Sequence, residues 1–272
     1  MSEPTRRLDL ELVARGLARS RGQARELVKA GSVLLDRLPA KKVSTPVSAE
    51  QRLELASGVE SWVSRAAYKL VAALEAFGHD GLSVAGKRCF DVGACTGGFT
   101  QVLLRQGARE VVALDVGHGQ LAEEIAGDPR VIERSGFNIR DARADDLGGR
   151  AELLVADLSF ISLQLVLPVL HDLVEPSGDL VLLVKPQFEV GRERLGKGGI
   201  VRSHHHHAMV IEAVVSAATT VGLNAKALLA SPIRGATGNA EYLLWLTGRP
   251  DEGLTTAQVT ELAATLSREA PR

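Results

Sequence analysis

Cysteine is scarce in this sequence: Cys89 and Cys95 are the only two in 272 residues, six positions apart. Two thiols so placed suggest neither a disulfide framework nor a zinc site, and a reducing, cytoplasmic setting is expected. Long apolar runs are missing as well. No uncharged stretch approaches the roughly 18 to 20 residues that span a bilayer, and the arginine-rich N-terminus has no apolar core of signal-peptide length. A chain without membrane partners is therefore expected. Gly-x-x-x-x-Gly-Lys-Ser/Thr does not occur, which excludes a phosphate-cradling P-loop, and no glycine spacing matches Gly-x-Gly-x-x-Gly. A surplus of one charge is lacking too, since 32 Lys/Arg face 33 Asp/Glu.

That balance hides an uneven distribution. The first 42 residues hold ten Lys/Arg against five Asp/Glu, so acids outnumber bases in the remainder. A basic module joined to an acidic body fits a length that accommodates one sizeable α/β domain and a small appendage. The expected division is 1–58, a connection over 59–64, and 65–272.

In the basic module, Leu8, Leu12, Val13 and Leu17 recur at helical spacing. Ser20-Arg21-Gly22-Gln23 has the form of a capping box, opening a second helix that turns Ala24, Leu27 and Val28 inward and stops at Gly31. Strand-like pieces follow at Val33 to Leu35, around Val43, and at Gln51 to Leu55. Two helices leading into a small sheet, with a basic helical face, resemble the αL RNA-binding domain of a small-subunit ribosomal protein. That resemblance, over about residues 6 to 56, implies an RNA surface made by Arg6, Arg7, Arg19, Arg21, Arg25, Lys29, Lys41 and Lys42.

From Arg65 a strongly helical stretch begins, and strands then alternate with helices: strands at Arg88 to Val92, Glu110 to Asp115, Val131 to Glu133, Glu152 to Asp157 and Asp179 to Lys185, with helices from Gly98, Gly119 and Ser162. This alternation predicts a parallel sheet covered on both faces. Ala227 to Ala230 and Glu241 to Leu246 are expected as an antiparallel terminal pair.

Where the first of these strands turns into a helix lies Asp91-Val92-Gly93-Ala94-Cys95-Thr96-Gly97-Gly98-Phe99. Its glycines allow a nucleotide-like ligand to approach the backbone. Asp91 ahead of the glycines is similar to the first motif of the Rossmann-like methyltransferases. That likeness implies S-adenosylmethionine as cofactor, held by Asp91, Gly93, Ala94, Cys95, Thr96, Gly97, Gly98 and Phe99, with Asp157 also beside it. Asp115, ending the next strand, is placed for the ribose hydroxyls, and Asn138 for the adenine side.

Lys185 and Asp157 end two strands at the carboxyl edge, where open α/β sheets bind ligands. Glu241 reaches the same edge if its strand runs antiparallel, and Lys69 can reach it from the preceding helix. Lysine there offers either a general base or a positive charge beside a developing alkoxide. The order Lys69, Asp157, Lys185, Glu241 is similar to the Lys-Asp-Lys-Glu tetrad of heat-shock-type RNA 2′-O-methyltransferases.

Asp157-Leu158-Ser159-Phe160, Val184-Lys185-Pro186-Gln187-Phe188 and Gly238-Asn239-Ala240-Glu241-Tyr242 further resemble the haemolysin A (TlyA) family. Membership would imply a Rossmann-like methyltransferase domain behind a small α+β RNA-binding domain. The implied activity is 2′-O-methylation of cytidine in 16S and 23S ribosomal RNA or in one of them, with ribosomal subunits as partners. For that chemistry Lys185 is expected as the base, with Asp157 orienting it and Glu241 holding the lysine pair; the alternative is that Lys185 stabilises the alkoxide while water takes the proton. Two alternatives stay open: exocyclic-amine methylation of a base, which the Asp157 to Phe160 string echoes, and a membrane-active haemolysin. His204 to His207 are read as a surface run, because consecutive residues point around a helix and give no tetrahedral metal set; no metal is expected. Gly191 to Arg202, with Arg192, Arg194 and Lys197, is expected as a mobile lid or a plain connection.

Overall fold

The computed structural model describes residues 5–18, 20–56, 62–250 and 252–269, and the chain divides into two compact units, Met1–Arg65 and Ala66–Arg272.

In the first unit a short strand, β1 (Arg6–Arg7), leads into α1 (Leu8–Ala14), and α2 (Arg21–Lys29) follows, its Ser20 hydroxyl accepting the Gln23 amide at 3.2 Å. Then come β2 (Val33–Leu35), β3 (Leu38–Pro39), β4 (Pro46–Val47) and β5 (Leu53–Leu55). β3, β2 and β5 form one antiparallel sheet, and β1 pairs with β4. The strand expected around Val43 is displaced to Pro46–Val47: the Val43 carbonyl instead accepts the Asp9 amide at 3.0 Å, at the start of α1. Leu8, Leu12, Ala24, Leu27, Val28 and Val33 close the core.

The second unit opens with α3 (Ala67–Gly78), β6 (Arg88–Val92), α4 (Gly98–Arg105) and β7 (Glu110–Asp115). It continues through α5 (Glu123–Ala126), β8 (Val131–Ser135), β9 (Ala151–Ala156), α6 (Leu163–Asp172), β10 (Val174–Val184) and α7 (Pro186–Glu189). It ends with α8 (His204–Thr220), β11 (Asn224–Ala230), β12 (Tyr242–Thr247) and α9 (Thr256–Glu269). α5 is a single turn beginning at Glu123 rather than a helix from Gly119, and α9 carries no signal used above.

The seven strands are ordered β11-β12-β10-β9-β6-β7-β8, with β6 to β10 parallel and β12 antiparallel to both its neighbours. Central strands covered on both faces read as continuous apolar runs: Leu180 to Val184 and Tyr242 to Leu246 are all buried. Strand order reverses between β6 and β9, which opens a crevice at their carboxyl ends.

One histidine departs from the expected surface run. His207 is 5% exposed, with one ring nitrogen 2.9 Å from the Val201 carbonyl and the other 2.9 Å from the Tyr242 hydroxyl. A buried imidazole with both nitrogens engaged is a core fixture, and burial lowers its pKa.

Candidate active site

β9, β10 and β12 are neighbours, and their register sets Ala156 beside Leu182 and Val184 beside Tyr242. Asp157 and Lys185, one step past β9 and β10, therefore emerge at the same edge as Glu241, one step before β12. Lys69 joins them from the first turns of α3. The four side chains alternate in charge. Lys185 Nζ lies 2.5 Å from Asp157 Oδ1, Lys69 Nζ 3.3 Å from Asp157 Oδ2, and Lys69 Nζ 2.7 Å from Glu241 Oε2. Each side chain is 15% exposed or less. Glu241 touches Lys69, and no ion pair joins it to Lys185 among the described residues, so it holds one lysine where two were expected. Pairing explains how two lysines and two acids share a buried site: an isolated buried charge costs several kcal/mol, whereas each of these groups has an opposite partner within reach.

Beyond the expected four stands Ser159, whose hydroxyl lies 2.8 Å from Lys185 Nζ. Its neighbour Phe160 is 92% exposed at a φ of 63°, a backbone conformation unfavourable for a bulky L residue. The Phe160 ring sits 5.2 Å from that of Phe188, itself 5.8 Å from Lys185 Nζ. Glu189 braces this corner: its carboxylate accepts the Leu163 amide and the Ser162 hydroxyl, each at 2.6 Å, tying α7 to the start of α6. Sequence gave one hint of this, in Asp157-Leu158-Ser159-Phe160, but the exposure comes from the left-handed turn.

The glycine loop adjoins this cluster at Asp157, whose amide donates to the Val92 carbonyl at 3.1 Å. Gly93 has a φ of 86°, and a Cβ there would come within 2.8 Å of the Asp157 carbonyl, so only glycine lets the loop meet the end of β9. Gly97, also left-handed, ends the loop against Ile125 and starts α4, whose first residue is the buried Gly98. Asp115 ties the loop down, accepting the Cys95 amide at 2.8 Å and the Gly117 amide at 2.7 Å. Thr96 is half-buried, Ala94 is 5% exposed, and Val116, 72% exposed, continues the edge beyond Asp115. Phe99 is buried at 3%, which leaves its backbone rather than its ring for any ligand. The exposed Asn138 uses its side-chain oxygen to accept the Arg140 amide at 3.1 Å.

Asp91 is wholly buried; Thr100 donates to its Oδ2 at 2.6 Å, while Oδ1 has no hydrogen-bond partner. Burial pushes its carboxyl up to about 7. An orphaned buried acceptor at a strand end matches a ligand that brings a positively charged donor, as the amino acid part of S-adenosylmethionine would. Cys89 is walled in on the strand, its thiol pushed up to about 12 by burial, which makes it unreactive.

A model of the FtsJ-like methyltransferases matches residues 62–247, and an S4 domain model matches residues 6–53. The 16S/23S rRNA (cytidine-2′-O)-methyltransferase TlyA of Mycobacterium tuberculosis is 51% identical over 91% of this chain and 92% of its own length. The chain belongs to the TlyA family of FtsJ-like methyltransferases. Hemolysin A of Brachyspira hyodysenteriae is 35% identical over 87% of the chain and 98% of its own length. A Streptococcus thermophilus structure that carries the hemolysin name superposes with a TM-score of 0.74 at 37% identity, covering 98% of each chain. In this TlyA-family chain no helix among the described residues is long and apolar enough to cross a membrane, and no group of three His, Cys, Asp or Glu side chains is arranged to hold a metal ion.

The S4-matched unit has its own charged centre. Asp9 is fully buried, and Arg7, Arg21 and Arg25 reach it at 3.0, 3.1 and 3.9 Å while remaining about half exposed. Hydrogen bonding from Arg7 holds the Asp9 carboxyl down at about 2. Arg6 pairs with Glu11 and Lys29 with Glu26, Lys41 and Lys42 are exposed, and Arg19 lies outside the described residues. Asp9 was not foreseen, because a lone acid among basic residues gives no sign of being buried.

Proposed function

We propose that this chain transfers a methyl group from S-adenosylmethionine to the ribose 2′-hydroxyl of a cytidine in 16S or 23S ribosomal RNA. The observation that carries the reading is the buried Lys185–Asp157–Lys69–Glu241 chain beside the glycine loop. The cofactor supplies an electrophilic methyl group. Asp91 would hold its ammonium and Asp115 its ribose hydroxyls, and the loop 93–98 would contribute backbone groups.

Lys185, oriented by Asp157 and Ser159, would first give its own proton to solvent and then, as the neutral amine, take the 2′-hydroxyl proton, leaving that oxygen to react with the methyl group the cofactor would supply. Lys69, held by Asp157 and Glu241, keeps Asp157 fixed and adds positive charge near the developing alkoxide. Phe160 and Phe188 offer a face on which a nucleobase stacks, a contact typically worth about 1–3 kcal/mol.

In this reading residues 1–58 form the RNA-binding domain, 59–64 the connection and 65–272 the methyltransferase domain. The half-exposed arginines around Asp9, with Arg6, Lys29, Lys41 and Lys42, bind RNA phosphates. A ribosomal substrate implies ribosomal subunits as partners and a cytoplasmic location.

The test is incubation of the purified chain with labelled S-adenosylmethionine and unmethylated ribosomal subunits, followed by nuclease digestion and mass spectrometry of the nucleosides. Label in 2′-O-methylcytidine is expected. Label on the base, or none, overturns the assignment, and dye release from liposomes by the pure protein would support the lytic activity that the hemolysin name suggests.

A further inference from the structure

The loop 191–202 leaves α7, which directly follows Lys185, and returns to the same edge by contacts that are specific and buried. Val201 is 4% exposed; its amide donates to Asn239 Oδ1 at 2.9 Å and its carbonyl meets the His207 ring at 2.9 Å. Asn239, itself wholly buried, donates from Nδ2 to the Gly199 carbonyl at 3.0 Å. The other nitrogen of His207 meets the Tyr242 hydroxyl. Asn239 and Tyr242 flank Glu241, so both hydrogen-bonded anchors of the loop lie on the segment that carries the partner of Lys69. A solvent-washed connection would need no such anchorage.

Outward from these anchors the loop is basic and uncommitted. Arg192, Lys197 and Arg202 are exposed, and none makes an ion pair or side-chain hydrogen bond with another described residue; Arg194 is 4.0 Å from Glu193. Elsewhere in this unit Lys226 pairs with Glu252 and Arg130 with Asp128, whereas the exposed Arg134, Arg140, Arg143 and Arg150 make no ion pair with a described residue, so it is the buried anchorage beside the site that sets this loop apart. Three unpaired cations on a tethered, glycine-rich segment at the rim of a site read as a docking edge for a polyanion.

We propose that residues 191–202 form a strap that grips the sugar-phosphate backbone of the substrate RNA beside the target nucleotide, with Arg192, Lys197 and Arg202 meeting phosphates and Asn239 and His207 as positioning residues. This rests on the RNA-methylation reading above, and it assigns a second RNA contact in addition to the basic N-terminal unit. Glycines 196, 198 and 199 let the strap follow the backbone closely, while the anchors set its distance from Glu241.

The test is the salt dependence of RNA binding, measured by fluorescence anisotropy on the full chain with a ribosomal RNA fragment and no cofactor, so that it stands even if methylation is never observed. Each ion pair with a single-stranded phosphate contributes roughly 0.7 to the slope of log K against log salt, so the triple substitution R192A/K197A/R202A is expected to lower that slope by about 2. S-adenosylmethionine affinity is expected to stay at the wild-type value.

Asn239→Ala tests the anchorage separately. It is expected to raise KM for RNA several-fold with kcat little changed and to speed tryptic cleavage within 192–202, while the thermal midpoint of the unit is kept; Asn239→Gln should restore part of the KM. An unchanged salt slope in the triple variant overturns the strap. An N239A protein with wild-type KM and protease resistance overturns the positioning role. If the slope falls as expected but no methylated nucleoside forms, the strap stands and the methyl-transfer reading fails.

Discussion

Replacing Lys185 by Met removes one ammonium while keeping most of the side-chain volume, and the geometry allows the consequence to be worked out. Lys185 Nζ sits 2.5 Å from Asp157 Oδ1 and 2.8 Å from Ser159 Oγ. At an effective dielectric of 20 that ion pair is worth roughly 6 to 7 kcal/mol of Coulomb attraction, most of it offset by the cost of burying the two charges. Asp157 is not orphaned in Lys185→Met, because Lys69 remains 3.3 Å away. The expected loss of stability is therefore modest, about 1–3 kcal/mol, below the roughly 3–5 kcal/mol of a buried pair broken outright.

The rate should suffer far more. A positioned base contributes on the order of 10² to 10⁴, and a charge that stabilises the alkoxide about 10² to 10³, so either role predicts at least a 100-fold fall in kcat, about 2.7 kcal/mol of barrier. The assay is single-turnover methyl transfer to ribosomal RNA, with cofactor affinity measured by calorimetry and the thermal midpoint recorded alongside. Wild-type turnover from a folded Lys185→Met protein that binds cofactor normally would refute the assignment. The two roles separate on Lys185→Arg, which keeps the positive charge but supplies no base: near-normal turnover points to charge, and a 100-fold loss points to proton transfer.

The remaining expectations concern other parts of the molecule. Burial raises Asp91 to about 7 from the ordinary carboxylate value, so its protonated form is favoured in the fold; that contribution is full below about pH 4 and lost as pH climbs to 7, amounting to roughly 4 kcal/mol. Asp91→Asn should therefore raise the thermal midpoint of the cofactor-free protein at pH 8. It should also abolish the strengthening of S-adenosylmethionine binding between pH 6 and 8 that ionisation of Asp91 gives the wild type, and a wild-type affinity flat across that range would count against the pairing. Gly93→Ala places a methyl group 2.8 Å from the Asp157 carbonyl at a left-handed φ, and cofactor affinity measured by calorimetry should drop at least tenfold. Phe160→Ala should raise KM for RNA about tenfold in steady-state assays, as expected for one lost stacking contact, with cofactor binding untouched. Asp9 is held at about 2 by Arg7 and Arg21, so its stabilising contribution is present above about pH 4 and disappears as pH falls toward 2; Asp9→Asn should flatten acid unfolding of the first unit over that window, followed by circular dichroism.

Much of this architecture was already written in the order of residues. Strand-like stretches alternating with helical ones marked the parallel sheet, the Ser20 to Gln23 string marked a helix start that the Ser20 hydroxyl caps, and Asp91 to Phe99 marked the turn from the first strand of that sheet into a helix. These signals are local, because strand burial, helix capping and left-handed turns are decided by residues a few positions apart. Which charges meet is not a local matter. Lys69 and Glu241 stand 172 positions apart and come within 2.7 Å only because β12 inserts antiparallel beside β10, so Glu241 secures Lys69 and not the lysine pair. The same folding buried Asp9 beneath three arginines and drew His207 out of an apparently exposed histidine run into contact with Tyr242. The sequence by itself determined the elements and the chemical vocabulary of the site. Tertiary packing decided the pairings, since a buried charge must find a partner across space wherever the chain brings one within reach.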